Sequence, residues 1–229
     1  MRFSELAWAG MLFYYKSAGD KRYSSIMSDR GFLERLRNAP AEIPAREFEE
    51  KAILGLINVE NYDLLMGHKV AEQLLRRVVG LADMVNELKG LSLSGCDLDD
   101  AATMQAINRT YTTLYVEGLW VTGVSKIAHL LNEKLFPPLS PDIARHFAIM
   151  NQNSDLKPWL KTMQKEILEA RSDFRSRGFT DEPEIFLSEK LGYAAVGYTK
   201  PMVKFADEYF WLRHIDGMSI PPVWVPSFS

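Results

Sequence analysis

Three side chains in one stretch of this sequence are of types that can take part in nucleophilic or charge-stabilising chemistry: Lys126, Ser140 and Asp142. A lysine amine can attack an electrophilic carbon and form a Schiff base. A carboxylate held beside developing positive charge stabilises it. Ser140-Pro141-Asp142 also reads as a helix start, with a serine N-cap, a proline at the first helical position and an acid in the first turn. Other chemistry is thin. The chain has no GxGxxG or GxxxxGK[ST] phosphate cradle and no HExxH. Its four histidines (His68, His129, His146 and His214) have no metal-ligand spacing, and His129 and His146 can meet only through tertiary folding. Cys96, the single cysteine, excludes an intramolecular disulfide and a multi-cysteine zinc site. Its neighbours Asp97, Asp99 and Asp100 argue against an activated thiolate. The sequence therefore calls for no metal and no cofactor.

The segment from Gly118 to Phe147 reads GLWVTGVSKIAHLLNEKLFPPLSPDIARHF. A turn at Gly123, of a kind that a β-carbon disfavours, leads into a helix carrying Lys126. The apolar run Leu135-Phe136-Pro137-Pro138-Leu139 follows, and then the helix start at Ser140 with Ile143 and Arg145 behind it. This resembles the core of the helix-hairpin-helix DNA glycosylase superfamily, which writes a hairpin like LPGVGxKTA and then a helix start like VDTHVxR. The resemblance covers about 40 of the 229 residues. It implies a two-lobed all-α fold, with Gly123 and Arg145 at the DNA and Lys126 as nucleophile or phosphate contact. It also implies a flipped base, because a base must leave the stack to reach a pocket. Ser140 occupies the family's aspartate position, and a serine cannot supply that charge. Asp142, two residues on, is the remaining carboxylate of the segment for that role.

A second feature points to double-stranded DNA. Lys157, Lys161 and Lys165 recur every four residues and so share one helix face. Between Lys157 and Arg177 six bases stand against three acids. Such a stripe can track phosphates without reading sequence. The whole chain carries a net charge of −3, so no global field draws it to nucleic acid or to an anionic membrane, and any nucleic-acid site is a local patch.

The elements that must position these residues read as helices throughout. Leu74, Leu75, Val78, Val85 and Leu88 keep helical spacing inside a long helix expected from about Tyr62 to Lys89, capped by Asn61 and followed by Gly90, with Gly80 as a bend. Asp97 or Asp99 is expected to cap a helix ending near Val116. Pro40 and Pro44 mark a break before a helix from Ala45 to Leu56. Further helices are expected at the amino terminus, from Ser154 or Asp155 to Arg177 with Gly178 closing it, after Thr180-Asp181-Glu182-Pro183, and after Thr199. The tail, with Pro221, Pro222 and Pro226, cannot be helical and is expected to lie across the body. No alternating strand pattern is visible.

With 47% hydrophobic and 25% charged residues, the composition is that of a globular chain and not of a disordered or fibrous one. No apolar run approaches the roughly 18 residues of a membrane-spanning helix, and the amino-terminal run is broken by Glu5 and closed by Lys16. The expectation is a cytoplasmic protein with no membrane partner. Its central helical lobe spans residues 21–132, and residues 1–20 plus 133–229 form a second helical lobe. The expected function is glycosylase-like binding of damaged or flipped-base DNA, with Ser140 arguing against N-glycosidic hydrolysis. The alternative is a non-enzymatic all-α interaction protein on the same scaffold.

Overall fold

The computed structural model describes residues 2–16, 18–54, 67–117, 119–151, 153–214 and 216–218, and among them every regular element is helical. The first three α-helices are α1 (Phe3–Lys16), α2 (Ala18–Ser28) and α3 (Arg30–Asn38), with Asp29 capping α3 through the Phe32 amide at 3.0 Å. A 3-10 turn at Pro40–Glu42 leads to α4 (Ala45–Phe48), which widens into a π-turn over Glu49–Leu54. The helix expected from Ala45 to Leu56 is thus present as far as it is described, in a looser form.

The long helix expected from Tyr62 to Lys89 is, over its described part, two helices: α5 (Gly67–Gly80) and α6 (Ala82–Leu88). Gly80 is the weakest helix former in the run, and Leu81 tightens the chain there with an amide bond to the Val78 carbonyl at 3.0 Å. The break buries Leu81 and lets α6 pack on α3. The Asn61 cap lies outside the described residues, as does the proline-rich tail.

Helix α7 (Ala101–Leu114) is capped by Asp100 rather than Asp97 or Asp99, with the Thr103 amide donating to Asp100 Oδ2 at 2.8 Å. Then come α8 (Val121–Leu131), α9 (Pro141–His146), α10 (Lys157–Ser176), α11 (Pro183–Lys190) and α12 (Met202–His214). The stop of α10 is as expected, since Gly178 takes φ +86°, a conformation that a β-carbon disfavours.

One hydrophobic core runs through the described chain. Helix α1 packs on α10 and α12, while α3, α5, α6, α7 and α8 pack on one another. Helix α1 packs tightly on α12 at Gly10, where an added β-carbon would sit 2.8 Å from the Phe205 ring. Helix α2 spans the expected lobe boundary and packs on α1 and on a 3-10 turn at Tyr193–Val196. It therefore sides with the amino-terminal group. Helix α9 joins the two groups by contacting both α8 and α12.

Candidate functional site

The most unusual chemistry lies inside the protein, where α2, α8, α12 and the chain before α12 meet. His129 on α8 is fully buried, and its Nδ1 lies 2.6 Å from the Phe136 carbonyl oxygen. A carbonyl only accepts, so Nδ1 carries the proton and donates. The neutral ring then accepts at Nε2 from the Tyr23 hydroxyl at 2.7 Å, and Tyr23 in turn accepts from the Tyr198 hydroxyl at 2.8 Å. Burial pushes His129 down to about 3, which keeps the imidazole neutral, and it pushes the Tyr23 phenol well up.

A charged cluster adjoins this chain. Lys200 and Glu208 are both fully buried, with Nζ 2.6 Å from Oε1. Lys200 Nζ also donates to the Tyr193 hydroxyl at 2.7 Å and lies 4.4 Å from the Tyr193 ring centre and 5.1 Å from that of Phe205. Lys204 pairs with Asp207 at 2.8 Å and with Glu208 at 3.4 Å. Each buried charge thus faces an opposite one, the condition under which burial is tolerated.

Lys126 belongs to this neighbourhood. It is partly buried on α8, and burial lowers its amine first, with the charge of Lys204 adding to the effect and Asp207 opposing it. The Leu139 amide donates to Ser125 Oγ at 2.9 Å, which holds α8 against the segment leading to Ser140. The segment that carries Lys126 and the segment that leads to Ser140 are therefore adjacent. The details differ from expectation. Gly123 is buried inside the first turn of α8, its amide bonded to the Trp120 carbonyl at 2.8 Å, so it is not the turn. The break between α7 and α8 falls earlier, at residues 115–120. The cause is local: Trp120 is extended and serves as the N-cap residue, so the helix has already begun at Val121.

Ser140 is an N-cap, accepting from the Ile143 amide at 3.2 Å. Asp142 is engaged by the Arg145 guanidinium one turn on, at the exposed surface. Lys126 thus lies in the field of Lys204 and Asp207, and Asp142 is paired with Arg145.

The basic residues of α10 are paired with acids both outside the helix and on it. Asp99 takes both Lys157 at 2.9 Å and Lys161 at 2.6 Å, and hydrogen bonds from those two lysines hold its carboxyl down to about 2. Lys165 reaches Glu169 at 3.9 Å. Arg171 binds Glu182 and Glu184, each at 2.5 Å, and Arg175 reaches Glu182. Asp99, Glu182 and Glu184 are the acids that the linear count omits.

A small cavity is lined by Tyr111, Tyr115, Val121, Val124, Asn151 and Leu156. Two exposed apolar side chains adjoin its lining in sequence, Trp120 at 68% and Met150 at 56% exposure. The Tyr111 hydroxyl is buried with no hydrogen-bond partner among the described residues, and burial pushes its ionisation up. A buried hydroxyl left unpaired costs about 1–3 kcal/mol. Tyr111→Phe is therefore expected to stabilise the protein by about 1 kcal/mol, a rise of about 2–4 °C in Tm for a chain of this size. Lower stability in a thermal melt would mean that the hydroxyl holds a bound water.

Among the described residues no three His, Cys, Asp or Glu side chains converge as a metal site, and no helix is long and apolar enough to cross a membrane. Cys96 is half-buried, and burial raises its thiol, as the neighbouring acids led us to expect of an unactivated cysteine. The His129–Tyr23–Tyr198 chain and the Lys200–Glu208 pair are not among the features the sequence pointed to. One signal for them was available: Lys200, Lys204, Asp207 and Glu208 punctuate a segment whose other faces are almost wholly apolar. No family model, no curated protein and no solved structure matches this chain.

Proposed function

We propose that this chain is a non-enzymatic helical interaction protein, with its contact surface at Trp120 and Met150. One observation carries the reading: the charges that would grip DNA or assist base release are spent within the chain. Lys157 and Lys161 are on Asp99, Asp142 is on Arg145, and Ser140 caps its own helix. Trp120 and Met150 are exposed apolar side chains next in sequence to the cavity lining, and an exposed tryptophan is a common anchor of protein interfaces. In a mobility-shift assay with an abasic-site duplex at low and moderate salt, no shift is expected for wild type. A salt-sensitive shift that weakens in K157Q/K161Q/K165Q would overturn the reading, because phosphate contacts set the salt slope. A photo-crosslinking amino acid at position 120 should yield a discrete protein adduct in cells, whereas one at exposed Ala101 should not.

A second reading, binding of a flipped base with Lys126 as the reacting amine, is favoured by the lowered basicity of that amine beside Lys204 and Asp207 and by the Ser125–Leu139 tie. Borohydride trapping with abasic duplex tests it directly. A covalent adduct in wild type that disappears in Lys126→Ala would establish it. Base release by Ser140→Asp, with none by wild type, would mark the scaffold as one that lacks only its carboxylate.

A further inference from the structure

Two histidines that the sequence left scattered, His146 and His214, come together at the junction of α9 and α12. His146 is the last residue of α9 and His214 the last of α12. Their ring centres are 5.6 Å apart with the planes 34° from parallel. Both side chains are exposed, so ions in solution reach them. Among the described residues neither imidazole has a hydrogen-bond partner. Their ring nitrogens are therefore available as ligands.

We propose that His146 and His214 form a binding site for one divalent late first-row transition-metal cation, Cu2+, Ni2+ or Zn2+, completed by water. The separation suits this. A metal bound about 2.0–2.1 Å from an imidazole nitrogen lies roughly 3.2 Å from the ring centre, so two rings at a tetrahedral angle have centres about 5.2 Å apart. Aromatic neighbours hold both rings. The His214 ring stacks on Phe210 at 5.2 Å, and His146 meets Phe147 edge-on at 4.9 Å. Both rings sit at helix carboxyl ends, where the exposed carbonyls favour a cation. Of the nearby charges, Arg145 is engaged by Asp142, Arg213 donates to the Tyr209 hydroxyl, and the Glu166 carboxylate opposes the positive field of Arg213 at His214. A cation held by both rings ties α9 to α12 and so links the two helix groups.

The test uses the untagged full chain at pH 7.5, with Cu2+, Ni2+, Zn2+ and Mg2+ titrated separately by calorimetry. One equivalent of Cu2+ is expected per chain, bound more tightly than Ni2+, with no Mg2+ uptake. His146→Ala and His214→Ala should each weaken binding at least about tenfold, and the double variant should abolish it. His68→Ala should change nothing. The cation should also raise Tm in wild type and leave Tm unchanged in the double variant, because a ligand held only by the folded state stabilises it. Circular dichroism checks that each variant is folded. Absence of saturable uptake by wild type, or undiminished uptake by the folded double variant, would overturn the proposal.

Discussion

Glu208→Ala is expected to destabilise the protein by about 3–5 kcal/mol, among the largest effects available to a single substitution here. The reason is the state in which it leaves Lys200. That ammonium is fully buried, with Glu208 Oε1 at 2.6 Å. Aromatic rings and the Tyr193 hydroxyl solvate it in part, but they do not replace the carboxylate charge. Lys204, which shares Glu208 at 3.4 Å, loses a partner as well. Replacing both buried members with apolar side chains of similar size, Lys200→Met with Glu208→Leu, should recover most of the loss. An apolar pair avoids the cost of desolvating two charges. Denaturant unfolding of the wild type, the single variant and the double variant gives the comparison. A single variant within about 0.5 kcal/mol of wild type would show that water reaches the pair.

Lowering the pH from about 6.5 should destabilise the protein through His129, by up to about 5 kcal/mol once pH 3 is reached. The sign follows from proton counting. The unfolded chain binds a proton at this histidine near its ordinary value of about 6.5. The folded chain binds one only near 3, because the ring is buried and hydrogen-bonded as the neutral tautomer. Between those limits the unfolded state holds more protons, so stability is fully present above about 6.5 and falls as pH drops, by about 1.4 kcal/mol per unit. The usable window is roughly pH 4.5–6.5. Below it Asp29, Glu47 and Asp99, all lowered by their lysine or arginine partners, add losses of the same sign. In His129→Gln the amide can imitate both hydrogen bonds but does not titrate. Its stability should be nearly flat across the window, apart from the smaller contribution of His214, which stays in both proteins. Parallel slopes for wild type and His129→Gln would show that His129 is not the group responsible.

The second of these expectations concerns residues that the linear sequence places far apart. Tyr23 and His129 are separated by 106 positions, and Tyr23 and Tyr198 by 175. Nothing in the local pattern of either tyrosine marks it as a partner of the other. The same holds for the basic stripe. The Lys157, Lys161 and Lys165 face was legible because helical periodicity is a property of neighbouring residues, and its neutralisation was not, because Asp99 lies 62 positions from Lys161. Asp97, Asp99 and Asp100 have the same capping chemistry, so their sequence alone does not choose among them. The structure gives the cap to Asp100, turns Asp97 onto the Asp99 amide and commits the Asp99 side chain to α10.

The sequence by itself determined the all-α class and the features made by adjacent residues. Ser140-Pro141 starts α9, Gly178 closes α10, and Pro183 opens α11. Each follows from backbone freedom or from a side chain reaching an amide three residues away, an interaction that needs no folded partner. Only the tertiary structure decided which charges are available. It committed Asp99 to Lys157 and Lys161, brought Lys126 within the field of Lys204 and Asp207, buried Lys200 with Glu208, and brought His146 to His214. Whether a charged side chain acts on a ligand or on its own chain depends on what packing brings within about 4 Å of it, where the strength of the interaction is set by burial. That distance is fixed by the packing of helices distant in sequence, and no periodicity along the chain encodes it.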